Sequence, residues 1–223
     1  MPQHSHVLLE PRKSPVQARS AASVGAILEA TIQVLLSVGK ERLTTTRVAS
    51  RAGVSVGTLY QYFPNKGALL QAALKQHLDA VADAVEQVCR EQKGNSLDQM
   101  ATALVTTFLD AKMKDARTSV ALYSVSADVD AGRIVQHMGV RSNEAIAGML
   151  ATAREPLARD PQLVASMLQI SMSGVSRRLL ESNAVESNAP EKQFDTFRRE
   201  LVFFVKAYLK ACSAPTTSST FRQ

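Results

Sequence analysis

The chain has little of what most enzymes need. Its only histidines are His4, His6, His77 and His137. No HExxH, GxSxG, GxGxxG or phosphate-loop pattern occurs, so metalloprotease, serine-hydrolase and nucleotide-binding chemistry have no recognisable machinery. Cys89 and Cys212 are the only cysteines. They stand far from each other and from any metal-like spacing, which predicts buried, reduced thiols and no metal or other cofactor. No hydrophobic run approaches membrane-spanning length and the N-terminus lacks a signal-peptide core, which predicts a cytoplasmic protein with no membrane partner. Turn signals are sparse after Lys66, and no strand-like alternation bounded by turns recurs, so the fold class expected is all-α.

What is present is apolar residue spacing with a helical period. An apolar fraction of 45% over 223 residues supports one large or two modest domains, and the pattern predicts about nine helices. The first runs from about Ala22 to Val38, with Val24, Leu28, Thr31, Leu35 and Val38 on one face, and closes at Gly39. Two short helices follow. Then come a long one from Lys66 to about Arg90, one from Asn95 or Ser96 to about Lys114, and one from about Ala116 to Ser126. A glycine-bearing helix is expected from about Asp130 to Glu155, another from Asp160 and Pro161 to about Ser182, and the last from near Pro190 to about Cys212.

The most informative stretch is Leu43 to Leu70. Thr44, Thr45 and Thr46 offer hydroxyls to the free N–H groups of a helix start, and Gly53 can close that helix in the left-handed conformation. Ser55 is placed to cap a second helix, which Pro64 must end, and Asn65 to cap a third. Val48, Ala52, Val54, Leu59 and Phe63 are spaced to face inward, leaving Val56, Gly57, Thr58, Tyr60, Gln61 and Tyr62 largely outside. That outer face is small, hydroxylated and aromatic where a solvated helix would carry charges, with Arg47, Arg51 and Lys66 at its margins. It suits a groove in DNA: Gly57 permits close approach, Thr58 and Gln61 reach base edges, Tyr60 and Tyr62 donate to phosphate, and Lys66 adds a cation at a helix start. Charge agrees. Up to Gly67 there are eight Lys/Arg against three acids, a net of +5, and the remainder has 18 against 17, so the basic excess lies with the candidate reader.

At Ala52-Gly53-Val54-Ser55, Gly57-Thr58-Leu59-Tyr60 and Tyr62-Phe63 the chain resembles the TetR family of bacterial transcriptional regulators, over roughly Ala22 to Leu74. The resemblance implies an N-terminal three-helix helix-turn-helix domain and a C-terminal helical domain for effector binding and dimerisation. Residues 1–19 are expected to form a flexible basic tail, 20–67 the DNA-binding domain, 68–212 the effector and dimer domain, and 213–223 a second flexible tail. The DNA-binding set is Thr45, Thr46, Arg47, Ser55, Val56, Gly57, Thr58, Tyr60, Gln61, Tyr62 and Lys66. In the tail, Arg12, Lys13 and Arg19 are either a minor-groove arm or a solubilising segment.

The last helix carries Phe194, Phe197, Leu201, Phe204 and Tyr208 at steps of three and four, and the one before it carries Ser171 and Gly174 among small residues. By themselves these are ordinary core. The resemblance implies a dimer interface, with Ser171, Gly174, Phe197, Leu201, Phe204 and Tyr208 as its residues. It also implies a pocket for a largely apolar small-molecule effector, for which Met100, Phe108, Tyr123, His137, Met138 and Met167 are the candidates; each methionine reads equally as core filler. The expected function is a ligand-responsive repressor that binds a palindromic operator in double-stranded DNA as a homodimer, and not an enzyme. Two alternatives stay open: a helical receptor or interaction module without specific DNA binding, and a helical enzyme using the same cavity.

Overall fold

The computed structural model describes residues 18–125, 131–185 and 190–214. Among these, nine helices follow one another: α1 (Ala18–Arg42), α2 (Thr45–Ala52), α3 (Val56–Tyr62), α4 (Lys66–Glu91), α5 (Leu97–Met113), α6 (Ala116–Val125), α7 (Gly132–Leu150), α8 (Pro161–Val185) and α9 (Pro190–Cys212). The all-α expectation holds.

The chain forms two compact units that divide inside α4, between Leu78 and Asp79, after Lys114, and inside α7, between Val135 and Gln136. The first contains α1 to α3, the start of α4, α6 and the first residues of α7. Here α1 packs on α2 and on α6, and α2 on α3. The buried face of α1 is wider than the single stripe expected: Ile27, Leu28, Ala30, Val34 and Leu35 are all sealed, and buried Thr31 returns its hydroxyl to the Ile27 carbonyl at 2.7 Å, which satisfies that buried group. Leu43, Val48, Ala49, Leu59, Phe63, Leu69, Leu74, Leu122 and Val125 complete this core.

Three expectations about the N-terminal region change. The first helix starts at Ala18, before the expected Ala22, and is interrupted at Gly39 as expected, whose φ 74 and ψ 169 are not helical, with a short further helical segment to Arg42. Arg19 therefore belongs to α1, whereas Arg12 and Lys13 lie outside the described residues. And one helix, over Ser20–Arg42, is long and apolar enough to cross a bilayer by length and composition alone, contrary to expectation; its apolar face is the reader's own core.

In the second unit α5 packs against α9 and α8, and α8 against α9. Ser96 caps α5 in a capping box with Gln99, and Leu97, Met100, Ala101, Leu104, Val105, Phe108 and Leu109 fill the core from it. Salt bridges Lys206–Asp98, at 2.8 Å, and Arg198–Asp110 hold α9 along α5. Arg141 of α7 meets three carboxylates of α4, Asp79, Asp83 and Glu86, at 3.4, 2.9 and 2.7 Å.

The seventh helix ends at Leu150 and not at Glu155, because the next residues serve the turn before α5. The Thr152 hydroxyl accepts from Gly94 N–H at 3.0 Å, Arg154 donates to the Gly94 carbonyl at 3.1 Å, and the Glu155 carboxylate accepts from Leu97 N–H at 2.9 Å. A carboxylate there also suits the positive end of α5. The C-terminal tail expected from Ser213 starts with two docked residues: Ser213 pairs with Leu157, and Ala214 donates to the Pro156 carbonyl at 2.8 Å.

Candidate nucleic-acid interface

The reader is assembled by local chemistry at each turn. Thr44 caps α2, its hydroxyl accepting from Arg47 N–H at 3.3 Å. Gly53 sits at φ 69 and ψ 27, the left-handed closure, and Val54 N–H then reaches back to the Ala49 carbonyl at 3.0 Å. Ser55 caps α3 by accepting from Thr58 N–H at 2.9 Å. Phe63 is extended, at φ −124 and ψ 109, as the residue before Pro64 must be. Asn65 caps α4 through Ala68 N–H at 2.8 Å.

With these ends set, Leu59 and Phe63 point into the core at 0% and 1% exposure. Gly57, Tyr60 and Gln61 are exposed, while Val56, Thr58 and Tyr62 are half-buried. Ala52 and Val54, expected inside, are half-buried too. Neither α2 nor α3 carries an acidic residue, so nothing on this face repels a phosphate.

Several hydroxyls and cations expected to meet DNA already have protein partners. The hydroxyls of Thr45 and Tyr60 lie 3.0 Å apart and tie α2 to α3. Those of Ser55 and Thr58 lie 2.8 Å apart. Lys66 donates to the Lys40 carbonyl at 2.6 Å, closing the open end of α1, so one of its three donors is engaged. Arg47 donates to the Arg42 carbonyl at 3.1 Å.

Sequence reasoning missed an open cleft of about 660 Å3 lined by Val34, Thr46, Arg47, Ser50 and Arg51. Ser50 was not among the expected residues, and Arg51 stood only at the margin. Arg51 is held by Gln33 at 2.6 Å, which in turn donates to Glu29 at 3.2 Å. The signal was there in the i, i+4 pairs Thr46/Ser50 and Arg47/Arg51, which put hydroxyls and guanidinium groups on neighbouring strips of α2.

The six candidate effector residues differ in their surroundings. Met100 and Phe108 are core residues of the second unit, and Met138 is buried at 6% exposure. His137 is exposed, Met167 is 43% exposed, and Tyr123 belongs to the first unit. A smaller cleft of about 290 Å3 in the second unit is lined by other residues, among them Glu86, Cys89, Arg90, Lys93, Arg141 and Glu144. Burial pushes the Cys89 thiol up to about 12, with the Glu86 charge adding to it, which makes this cysteine inert at neutral pH. Cys212 is buried as well. No group of three or more potential metal ligands is gathered among the described residues.

The expected dimer residues divide. Leu201 is 4% exposed and faces its own protomer's core, and Phe197 and Tyr208 pack against that core. Phe204 is half exposed, and Gly174 is exposed, while Ser171 is half-buried with its hydroxyl returned to the Met167 carbonyl at 2.8 Å. The large apolar residues exposed on these two helices are Leu163, Met167 and Ile170 on α8, at 53%, 43% and 68% exposure, and Phe203 and the expected Phe204 on α9, at 70% and 50%. A strict three-and-four stripe along α9 selects Leu201 and passes over Phe203, because periodicity finds the core face and not the face opposite it.

Residues 27–73 match the family described as bacterial regulatory proteins, tetR family, and residues 96–209 match the tetracyclin repressor-like C-terminal domain. The chain is 41% identical over 59 residues to the HTH-type transcriptional regulator BetI 1 of Chromohalobacter salexigens, which spans 26% of this chain and 29% of that protein. It is 32% identical over 79 residues to BetI of Escherichia coli, spanning 35% of this chain and 40% of that protein. The chain thus matches less than half the length of these relatives. A crystal structure of a Mesorhizobium loti protein assigned to the TetR-family transcriptional regulators has a TM-score of 0.68 at 21% identity, covering 89% of this chain and 100% of that one, which shows a shared fold. With an N-terminal and a C-terminal family domain together accounting for most of its residues, the chain belongs to the TetR family of bacterial regulatory proteins.

Proposed function

We propose that this protein is a cytoplasmic, ligand-responsive repressor that binds a palindromic DNA operator as a homodimer and is released by a small, largely apolar effector. The observation that carries the reading is the outer face of α3: exposed Gly57, Tyr60 and Gln61 with no acid on α2 or α3, flanked by the guanidinium-lined and hydroxyl-lined cleft of α2. A seven-residue helix makes too few contacts for high specificity alone. Two such helices in successive major grooves, about 34–36 Å apart, read a two-fold site. The uncovered row of Leu163, Met167, Ile170, Phe203 and Phe204 supplies an apolar surface for the second copy.

Effector action needs only a difference in affinity between two states. A coupling of about 1–3 kcal/mol changes operator affinity roughly 5- to 150-fold, whereas an effector with equal affinity for both switches nothing. Helix α4, which contributes to both compact units, is the element through which such a bias would pass.

The test is a charge in the apolar row. Ile170→Glu combined with Phe203→Glu should convert a sedimenting dimer to a folded monomer and lower palindrome affinity by more than tenfold, with a single half-site bound equally by both proteins. A wild-type protein that sediments as a monomer, or a variant that keeps full affinity for the palindrome, contradicts the proposal.

A further inference from the structure

Reading of sequence by α3 requires groups whose donors and acceptors are free and fixed in direction. Val56 and Gly57 have no polar side-chain atoms. Thr58 is tied to the cap: its N–H donates to Ser55 Oγ at 2.9 Å and its hydroxyl lies 2.8 Å from the same atom. Tyr60 is tied to Thr45 at 3.0 Å. Tyr62 is half-buried, and a hydroxyl that rotates and both donates and accepts discriminates weakly between base edges in any case. Gln61 differs on every count. It is exposed, its amide makes no hydrogen bond within the described residues, and it holds a donor and an acceptor side by side in one plane. That pairing complements the N6 donor and N7 acceptor that adenine presents in the major groove.

Resting on the DNA-reading proposal above, we infer that Gln61 is the single hydrogen-bonding reader of base identity on α3, that it selects an adenine in each half-site, and that Thr58 serves the placement of the helix and not the choice of base. This separates the roles of Thr58 and Gln61, which the sequence alone left equal.

Selection from a randomised DNA pool by the full-length wild type and by Gln61→Ala, Gln61→Glu and Thr58→Val decides the matter, with circular dichroism and melting confirming that each is folded. The wild type should recover a palindrome with one strongly preferred adenine per half-site, discriminated roughly 5- to 150-fold. Gln61→Ala should keep the palindrome and lose preference at that position alone. Gln61→Glu should move the preference there from adenine to cytosine, whose N4 group donates to a carboxylate. Thr58→Val should weaken all sequences by one common factor and leave the motif unchanged. A Gln61→Ala motif identical to the wild-type motif, or a Thr58→Val motif altered at a base position, overturns the inference while the DNA-reading proposal stands. A wild type that recovers no recurrent sequence overturns both.

Discussion

The pair formed by Thr45 and Tyr60 makes a quantitative claim about phosphate contact. Two hydroxyls 3.0 Å apart hold two protons. Their mutual hydrogen bond uses one, so one O–H remains to donate outward. A phosphate therefore gains one hydrogen bond from the pair, oriented by the bond between the two side chains. A neutral hydroxyl contact of this kind is worth about 1 kcal/mol, or roughly fivefold in affinity. Thr45→Val and Tyr60→Phe each leave one O–H that can still donate but is no longer oriented by its neighbour, so each should weaken operator binding by less than roughly fivefold. The double variant should lose roughly fivefold, because it alone leaves no O–H to donate to the phosphate. Fluorescence anisotropy at one fixed salt concentration gives the three affinities. The salt slope should stay unchanged, because a neutral donor releases no counterion, whereas Arg47→Ala should flatten it by about one unit. A double variant weakened by roughly 25-fold, the product of two independent losses, refutes the coupling and returns Tyr60 to an independent phosphate contact.

Three further outcomes rest on other parts of the chain. Gly53→Ala places a side chain at φ 69 where a Cβ would meet nothing within 4 Å, so the loss is backbone strain alone; about 1 kcal/mol, or a melting temperature lower by about 2–4 °C, should be read by calorimetry. Cys89, with its thiol raised to about 12, should resist alkylation in the folded protein at pH 8, since its thiolate fraction is on the order of one in ten thousand, and mass spectrometry should show it modified only after denaturation. The Asp115 carboxyl is held below its ordinary range: burial opposes this, but the Thr118 hydroxyl and N–H outweigh burial, and the His77 and Arg117 charges add to them. A depressed carboxyl stabilises above its unfolded pKa of about 3.9 and loses that contribution as pH falls through the folded value, so melting of the wild type and Asp115→Asn should differ at pH 7 and converge toward pH 3.

What was legible in the sequence was what neighbouring residues decide among themselves. Ser55, Gly53, Pro64 and Asn65 set the ends of three helices through contacts no more than about one helical turn away, so their roles followed from residue type alone. The Thr45–Tyr60 bond spans 15 residues and the Lys66–Lys40 bond 26; neither partner announces the other. The same holds for α7, whose end at Leu150 is decided by Gly94 and Leu97, more than fifty residues earlier. Periodicity on α9 found the buried Leu201 and the half-exposed Phe204 but missed Phe203, the most exposed large apolar residue of the helix. Methionines gave no guide to an effector pocket, because Met100 in a sealed core and Met167 on an open face look alike in sequence.

The central claim, that this chain reads a specific two-fold DNA site, is tested most directly by incubating the purified protein with sheared genomic DNA from its source at near-physiological salt and sequencing what stays bound. The account predicts a small number of enriched loci sharing one palindrome with half-sites about one helical turn apart. Retention that tracks salt and fragment length, with no shared sequence, would contradict it.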